Sequence, residues 1–120
     1  MELGSTIDRR TIDELLDSVG GDDGFLAELI DEFLSDTPVQ LDSLREALAS
    51  ADAETARRAA HTLKGTSRTF GAEPLAALCQ EVESAVQAGE LDPCLARVDE
   101  IGAEWDRVRE ELVALRAGAV

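Results

Sequence analysis

Eight apolar residues late in the chain, Leu91, Leu95, Val98, Ile101, Trp105, Val108, Leu112 and Leu115, recur at spacings of four and three. Only an α-helix gathers such a series onto one stripe, so a final helix of about 25 residues, roughly 40 Å long, is expected. A stripe of that length needs partners of similar length to bury it. Upstream the same spacing returns in Leu26, Leu29, Ile30 and Phe33, in Leu41, Leu44 and Leu48, in Ala56, Ala60, Leu63, Ser67 and Phe70, and in Leu75, Leu78, Cys79, Val82 and Val86.

Punctuation between these segments sets their ends. A short first helix is expected from about Ile7 to Ser18, with Ile12, Leu15, Leu16 and Val19 inward and Gly20-Gly21 closing it, as a lid over the bundle end. Residues 1–5 are expected to be frayed or an expression scar. Asp22 and Asp23 supply the next N-cap. Thr37-Pro38 reads as a cap followed by proline at a first helical position, yet the apolar phase nearly continues across it. The expectation is either one rod kinked near Asp36 to Pro38 or two almost collinear helices ending near Ser50. Asp52 caps a helix that runs to Phe70 and stops at Gly71, Pro74 opens one that ends at Gly89, and Leu91-Asp92-Pro93 starts the last.

Every link is only a few residues, which forces neighbouring helices to run antiparallel. No period-2 alternation marks a strand. The reading is all-α: an up-down-up-down four-helix bundle with an additional short N-terminal helix, residues 1–120 forming one domain. The length suffices for a core without metal or disulfide support. Cys79 and Cys94 form neither a disulfide framework nor a ligand pattern, and Cys79 lies on an apolar stripe as a buried thiol.

Formal net charge is −15, a field that repels nucleic acid and anionic lipid. No apolar run reaches a membrane span and no signal-peptide pattern opens the chain, so a reducing cytoplasm is expected. Against this acidic background no Asp or Glu occurs between Glu54 and Glu73, while four of the eleven Lys and Arg do. The only histidine and the only lysine, His61 and Lys64, lie in that island.

On a helical net Arg57, His61, Lys64 and Arg68 fall within roughly 60° of one another, turned away from the stripe that holds Leu63 and Ser67. The imidazole is therefore expected to face water, ringed by cations. Gly65, one turn on, costs a helix about 1 kcal/mol relative to alanine and caps nothing. It removes a side chain beside the imidazole, as close approach of another molecule requires. Like charges nearby disfavour the protonated ring and favour its nucleophilic neutral form, and the same cations stabilise a phosphoryl dianion attached to it. Ser67 is buried and Thr62 points about 100° away, so no hydroxyl nucleophile pairs with His61. GxxxxGK[ST], GxGxxG and HExxH are all missing, which leaves nucleotide and zinc chemistry without a seat, and one histidine makes no histidine-rich metal site.

His61-Thr62-Leu63-Lys64-Gly65-Thr66-Ser67, followed by Gly71-Ala72, resembles the HxLKGxS/A...G(A) signature of histidine-containing phosphotransfer (HPt) domains of two-component phosphorelays. The likeness extends from Phe25-Leu26 through Phe33 and Leu44 to Cys79 and Val82-Glu83. It implies that His61 accepts a phosphoryl group on Nε2 from a receiver-domain aspartyl phosphate and passes it to another receiver's aspartate. It implies that the chain is a carrier without its own kinase or ATP site, that it binds no cofactor, and that the Mg²⁺ belongs to the receiver. Lys64 and Arg68 would then interact with the phosphoryl oxygens, and Gly65 and Arg57 would serve docking. Glu83 stands where several relatives carry a glutamine that hydrogen-bonds the other imidazole nitrogen; a carboxylate there fixes the tautomer but opposes the effect of the cations on the ring. The partners implied are response-regulator receivers and a (hybrid) sensor histidine kinase, with the chain a monomer. Two alternatives stay open: the phosphoacceptor domain of a chemotaxis-type kinase, and a helical adaptor that is never phosphorylated.

Overall fold

The computed structural model describes residues 6–117; the N-terminal five, read above as frayed, lie outside it. Its described residues form five helices: α1 (Arg9–Ser18), α2 (Asp23–Ala49), α3 (Ala53–Thr69), α4 (Glu73–Gln87) and α5 (Asp92–Ala117). α3 packs on α2 and α4, and α5 closes the bundle against the same two. The bundle measures 43 × 28 × 19 Å, its long axis matching the roughly 40 Å that 26 or 27 helical residues span. The all-helical architecture expected from periodicity and short links is the one observed.

Carboxylate caps start three of the helices. Asp8, Asp22 and Asp52 accept from the backbone N–H groups of Arg10, Phe25 and Thr55, each meeting one donor that the first turn leaves unpaired. α1 begins two residues later than expected, with Asp8 as its cap. Ile7 is nevertheless buried, held as part of the segment leading in.

α2 is one helix of 27 residues with Pro38 inside it, which decides between the two forms expected there. Leu26, Ile30, Phe33, Thr37, Leu41, Leu44 and Leu48 are all buried at spacings of four and three that run straight through the proline. A continuous stripe packed along its length outweighs the roughly 3 kcal/mol an interior proline costs. Thr37 is accordingly a buried helical residue and no N-cap.

One position of the final stripe is corrected. Leu95 is 49% exposed and Cys94 is buried in its place. The buried series is Cys94, Val98, Ile101, Trp105, Val108 and Leu112, an alternation of four and three that stays in phase. Two successive threes, as Leu95 to Val98 to Ile101 demands, rotate Leu95 about 120° off the seam. The Phe33 ring stacks on Phe70 at 4.5 Å and meets Trp105 edge-on at 5.3 Å, tying α2, the end of α3 and α5 together.

The lid is held at both sides. Asp8 N–H donates to the Gly71 carbonyl (2.9 Å), and Thr6 N–H donates to Glu111 of α5 (2.8 Å). Gly71 has φ +72°, and a Cβ there would lie 2.8 Å from both the Asp8 carbonyl oxygen and the Thr11 Cβ. It therefore closes α3 and lets the N-terminal segment approach. The turn from α2 to α3 uses Ala51 at φ 58° where a glycine is the usual choice.

Gly71→Ala should destabilise the protein by about 1–2 kcal/mol from the left-handed backbone alone, with further loss as α1 lifts. Leu63→Ala, truncating a side chain that is 1% exposed, should cost about 2–5 kcal/mol. Urea unfolding of both variants against wild type measures these losses.

Candidate functional site

The α3–α4 seam is built from small residues. Ala56, Ala59, Ala60 and Ser67 are buried around Leu63 on α3, and Ala76, Cys79 and Val82 are buried on α4. Side chains this short let two backbones run close, so that longer side chains at the edge of the seam reach across it. His61 and Lys64 do so from α3, and Glu83 and Gln80 from α4.

Glu83 is the centre of this edge. Its side chain is only 8% exposed, and its two oxygens are divided between two partners: Oε2 lies 3.0 Å from His61 Nδ1, and Oε1 lies 2.7 Å from Lys64 Nζ. Burial works to raise the carboxyl pKa, but hydrogen bonds and charge from Lys64 and His61 outweigh it and hold the group below its ordinary range. Glu83 is thus a carboxylate near neutral pH. A carboxylate only accepts, so Nδ1 carries a proton, and the neutral form of the ring holds its lone pair on Nε2. The ring is 61% exposed, and among the described residues no partner engages Nε2.

The structure places the expected cations differently from a ring around the imidazole. Lys64 is 14% exposed and turned into the seam, where its ammonium also donates to Gln80 Oε1 (3.0 Å). Arg57 and Arg58 both pair with Glu54 at the start of α3, at 3.2 and 3.4 Å. Arg68 is exposed in the last turn, where a cation also complements the helix dipole, roughly 10 Å along the axis from His61. The charge in contact with the ring is the Glu83 carboxylate. Helical phase alone had pointed every polar side chain of this face outward; it carries no information on the neighbouring helix.

Gly65 is exposed, and a Cβ built on it meets nothing within 4 Å. Its absence of a side chain serves no packing within the bundle. Two threonine hydroxyls near it are absorbed locally: Thr66 Oγ1 donates to the Thr62 carbonyl and Thr69 Oγ1 to the Gly65 carbonyl, each at 3.1 Å. These back-bonds account for a run of weak helix formers in a continuous helix. The Cys79 thiol is buried, which pushes it up to about 12, and both cysteines are free.

Two residues of the site escaped the sequence reading, Gln80 and Ser84. Gln80 Nε2 donates to Ser84 Oγ (2.9 Å) while its oxygen faces Lys64. Their spacing was available, since Gln80 lies three residues before Glu83 and so shares its face. Among the described residues no group of three or more His, Cys, Asp or Glu is placed to hold a metal ion. No helix among them is long and apolar enough to cross a membrane.

Known proteins resemble this chain in sequence and in fold. A family model described as Hpt domain matches residues 28–118. The crystal structure of histidine-containing phosphotransfer protein B (HptB) from Pseudomonas aeruginosa PAO1 is 31% identical, with a TM-score of 0.86 over 93% of this chain and 95% of that one. The HPT domain of a sensor hybrid histidine kinase from Shewanella shares the fold at 22% identity, with a TM-score of 0.75 over 95% and 96% of the two chains. Among curated proteins none matches.

A carboxyl whose pKa is lowered by folding adds stability above its unfolded pKa, and that contribution disappears as pH falls through the folded value. Glu83→Gln should therefore be less stable than wild type at pH 7, and the gap should close as the pH drops from about 5 through the lowered folded pKa, below 4.5. Paired urea titrations across that range measure it; a gap that stays constant to pH 3 would contradict the ionised bridge.

Proposed function

We propose that this chain, which belongs to the Hpt domain family of histidine phosphotransfer proteins in two-component phosphorelays, carries the phosphoryl group on Nε2 of His61. The observation that supports this most is the exposed ring whose Nδ1 is taken by Glu83, which leaves the outer nitrogen with its lone pair.

In this reading the Nε2 lone pair attacks the phosphorus of an aspartyl phosphate on a receiver domain. The N–P bond forms as the P–O bond to aspartate breaks, and the electron pair leaves with the receiver's carboxylate. The Nδ1 proton stays where it is. The ring gains positive charge, which the Glu83 carboxylate stabilises at 3.0 Å. Return transfer to a second receiver's aspartate reverses the same bonds. Lys64, which starts on Glu83, neutralises that buried carboxylate and keeps one N–H for a phosphoryl oxygen; Arg68 and Arg57 extend the positive field at the rim.

The open space over Gly65 is where the receiver's backbone and active-site loops approach. Mg²⁺ and the acidic pocket that drives the transfer sit on the receiver, and this chain contributes a positioned nucleophile without a kinase or ATP site of its own. The proposal takes it as a cytoplasmic monomer, supplied by a sensor kinase's receiver and serving a response regulator.

Incubation with a phosphorylated receiver should label wild type with an acid-labile, alkali-stable phosphate and leave His61→Gln unlabelled with its helical circular dichroism intact. Label persisting on that variant would overturn the assignment. Gly65→Ala should gain up to about 1 kcal/mol in stability from helix propensity while transferring more slowly, a separation that unfolding curves and transfer kinetics measured together display.

A further inference from the structure

We propose that Gln80 is a positioning residue for phosphotransfer, ordering Lys64 so that the Glu83 carboxylate stays divided between lysine and imidazole. The role rests on the function proposed above and concerns a residue separated from His61 by two others, Lys64 and Glu83.

A continuous polar chain crosses the seam: Ser84 Oγ accepts from Gln80 Nε2 (2.9 Å), Gln80 Oε1 accepts from Lys64 Nζ (3.0 Å), Lys64 Nζ pairs with Glu83 Oε1 (2.7 Å), and Glu83 Oε2 meets His61 Nδ1 (3.0 Å). An ammonium only donates, which determines the end of the amide that faces it and turns the NH₂ towards Ser84. Gln80 and Ser84 are one turn apart on α4, so the amide is anchored to the same rigid helix that carries Glu83.

Lysine is a flexible point charge with three donors. With Glu83 as its sole acceptor it can slide across both carboxylate oxygens and compete with the imidazole for Oε2. A second acceptor to one side holds the ammonium on Oε1. That leaves Oε2 to Nδ1–H and keeps the Nε2 lone pair available. The third N–H then points in one direction, where a phosphoryl oxygen on the ring can take it. Gln80 thus acts through Lys64 on both the tautomer of the nucleophile and the stabilisation of its product, without touching either.

The sequence makes this measurable, because the chain holds one lysine and one histidine. Nitrogen-15 spectra of the ring and of the side-chain ammonium therefore each report a single residue. In Gln80→Met, which keeps the length and loses the oxygen, the Lys64 ammonium signal should broaden into exchange with water. The two ring nitrogens should shift towards each other as the Nδ1–H tautomer loses its excess. Transfer from a phosphorylated receiver should slow by about tenfold, the scale of lost orienting contacts behind a reactive group. Gln80→Glu, which restores an acceptor oxygen, should recover most of the rate. Ser84→Ala, exposed and mild, should shift all three readouts the same way by less, and serves if Gln80→Met fails to fold by circular dichroism.

Wild-type spectra in the folded variant would overturn the proposal, whatever the rate does: slow transfer with an undisturbed Lys64 and His61 means that Gln80 touches the receiver directly. A wild-type protein that takes no phosphoryl group at all sinks the function proposed above instead, and the ring and ammonium signals still decide whether Gln80 orders the pair.

Discussion

A carboxylate buried at a helix–helix seam is unfavourable unless both its oxygens are met, and Glu83 meets that condition with one lysine and one imidazole from the facing helix. The site depends on that single constraint. Removing either partner leaves charge stranded in the seam, so the residues that hold the bundle edge together are the same ones that orient the ring. Function is attached to stability here through electrostatics, while the apolar core beneath is free to do nothing but pack.

The bundle makes this economical. Small side chains along the α3–α4 seam bring the backbones close, with Ala56, Ala60 and Ser67 fully buried, and a short reach then suffices for His61 and Lys64 to contact α4. Leu63 is buried on the same stripe, and at the end of α3 Phe70 stacks on Phe33 of α2, which meets Trp105 of α5 edge-on. A rigid rod results, with one face anchored and one edge electrostatically tuned. The outer surface at Gly65 is left open, whereas Gly71 answers an internal need by admitting the N-terminal segment. Two glycines six residues apart thus serve opposite masters, and only their surroundings tell them apart.

Much of the fold was legible. The caps at Asp22 and Asp52, the stop at Gly71 and the buried positions of α2 and α3 followed from spacing and side-chain chemistry within a turn or two. Pro38 was legible only as an ambiguity, since its local cost and the stripe on either side pulled in opposite directions. Leu95 was misplaced because a local run of apolar residues was extended past the point where its phase drifted. At the site, His61 and Lys64 stood out from the cationic island and helical phase and Glu83 from the family likeness, but the partners of Lys64 and Arg57 did not, and Gln80 passed unnoticed. Glu104, buried on α5 and paired with Arg107 at 2.7 Å, is a second carboxylate whose burial no pattern announced.

What the amino-acid order determined alone was which residues share a face of one helix, because that depends on rotation of about 100° per residue and on nothing else in the molecule. It gave helices, their ends, an exposed histidine and a cluster of positive charge around it. Tertiary structure decided which charges meet. Lys64 and Glu83 are nineteen positions apart by number, and whether they touch depends on the distance and rotation between two packed helices, which are set by every side chain in the seam. The packing turned an expected ring of cations into a buried carboxylate bridge, and with it chose the nitrogen that faces out.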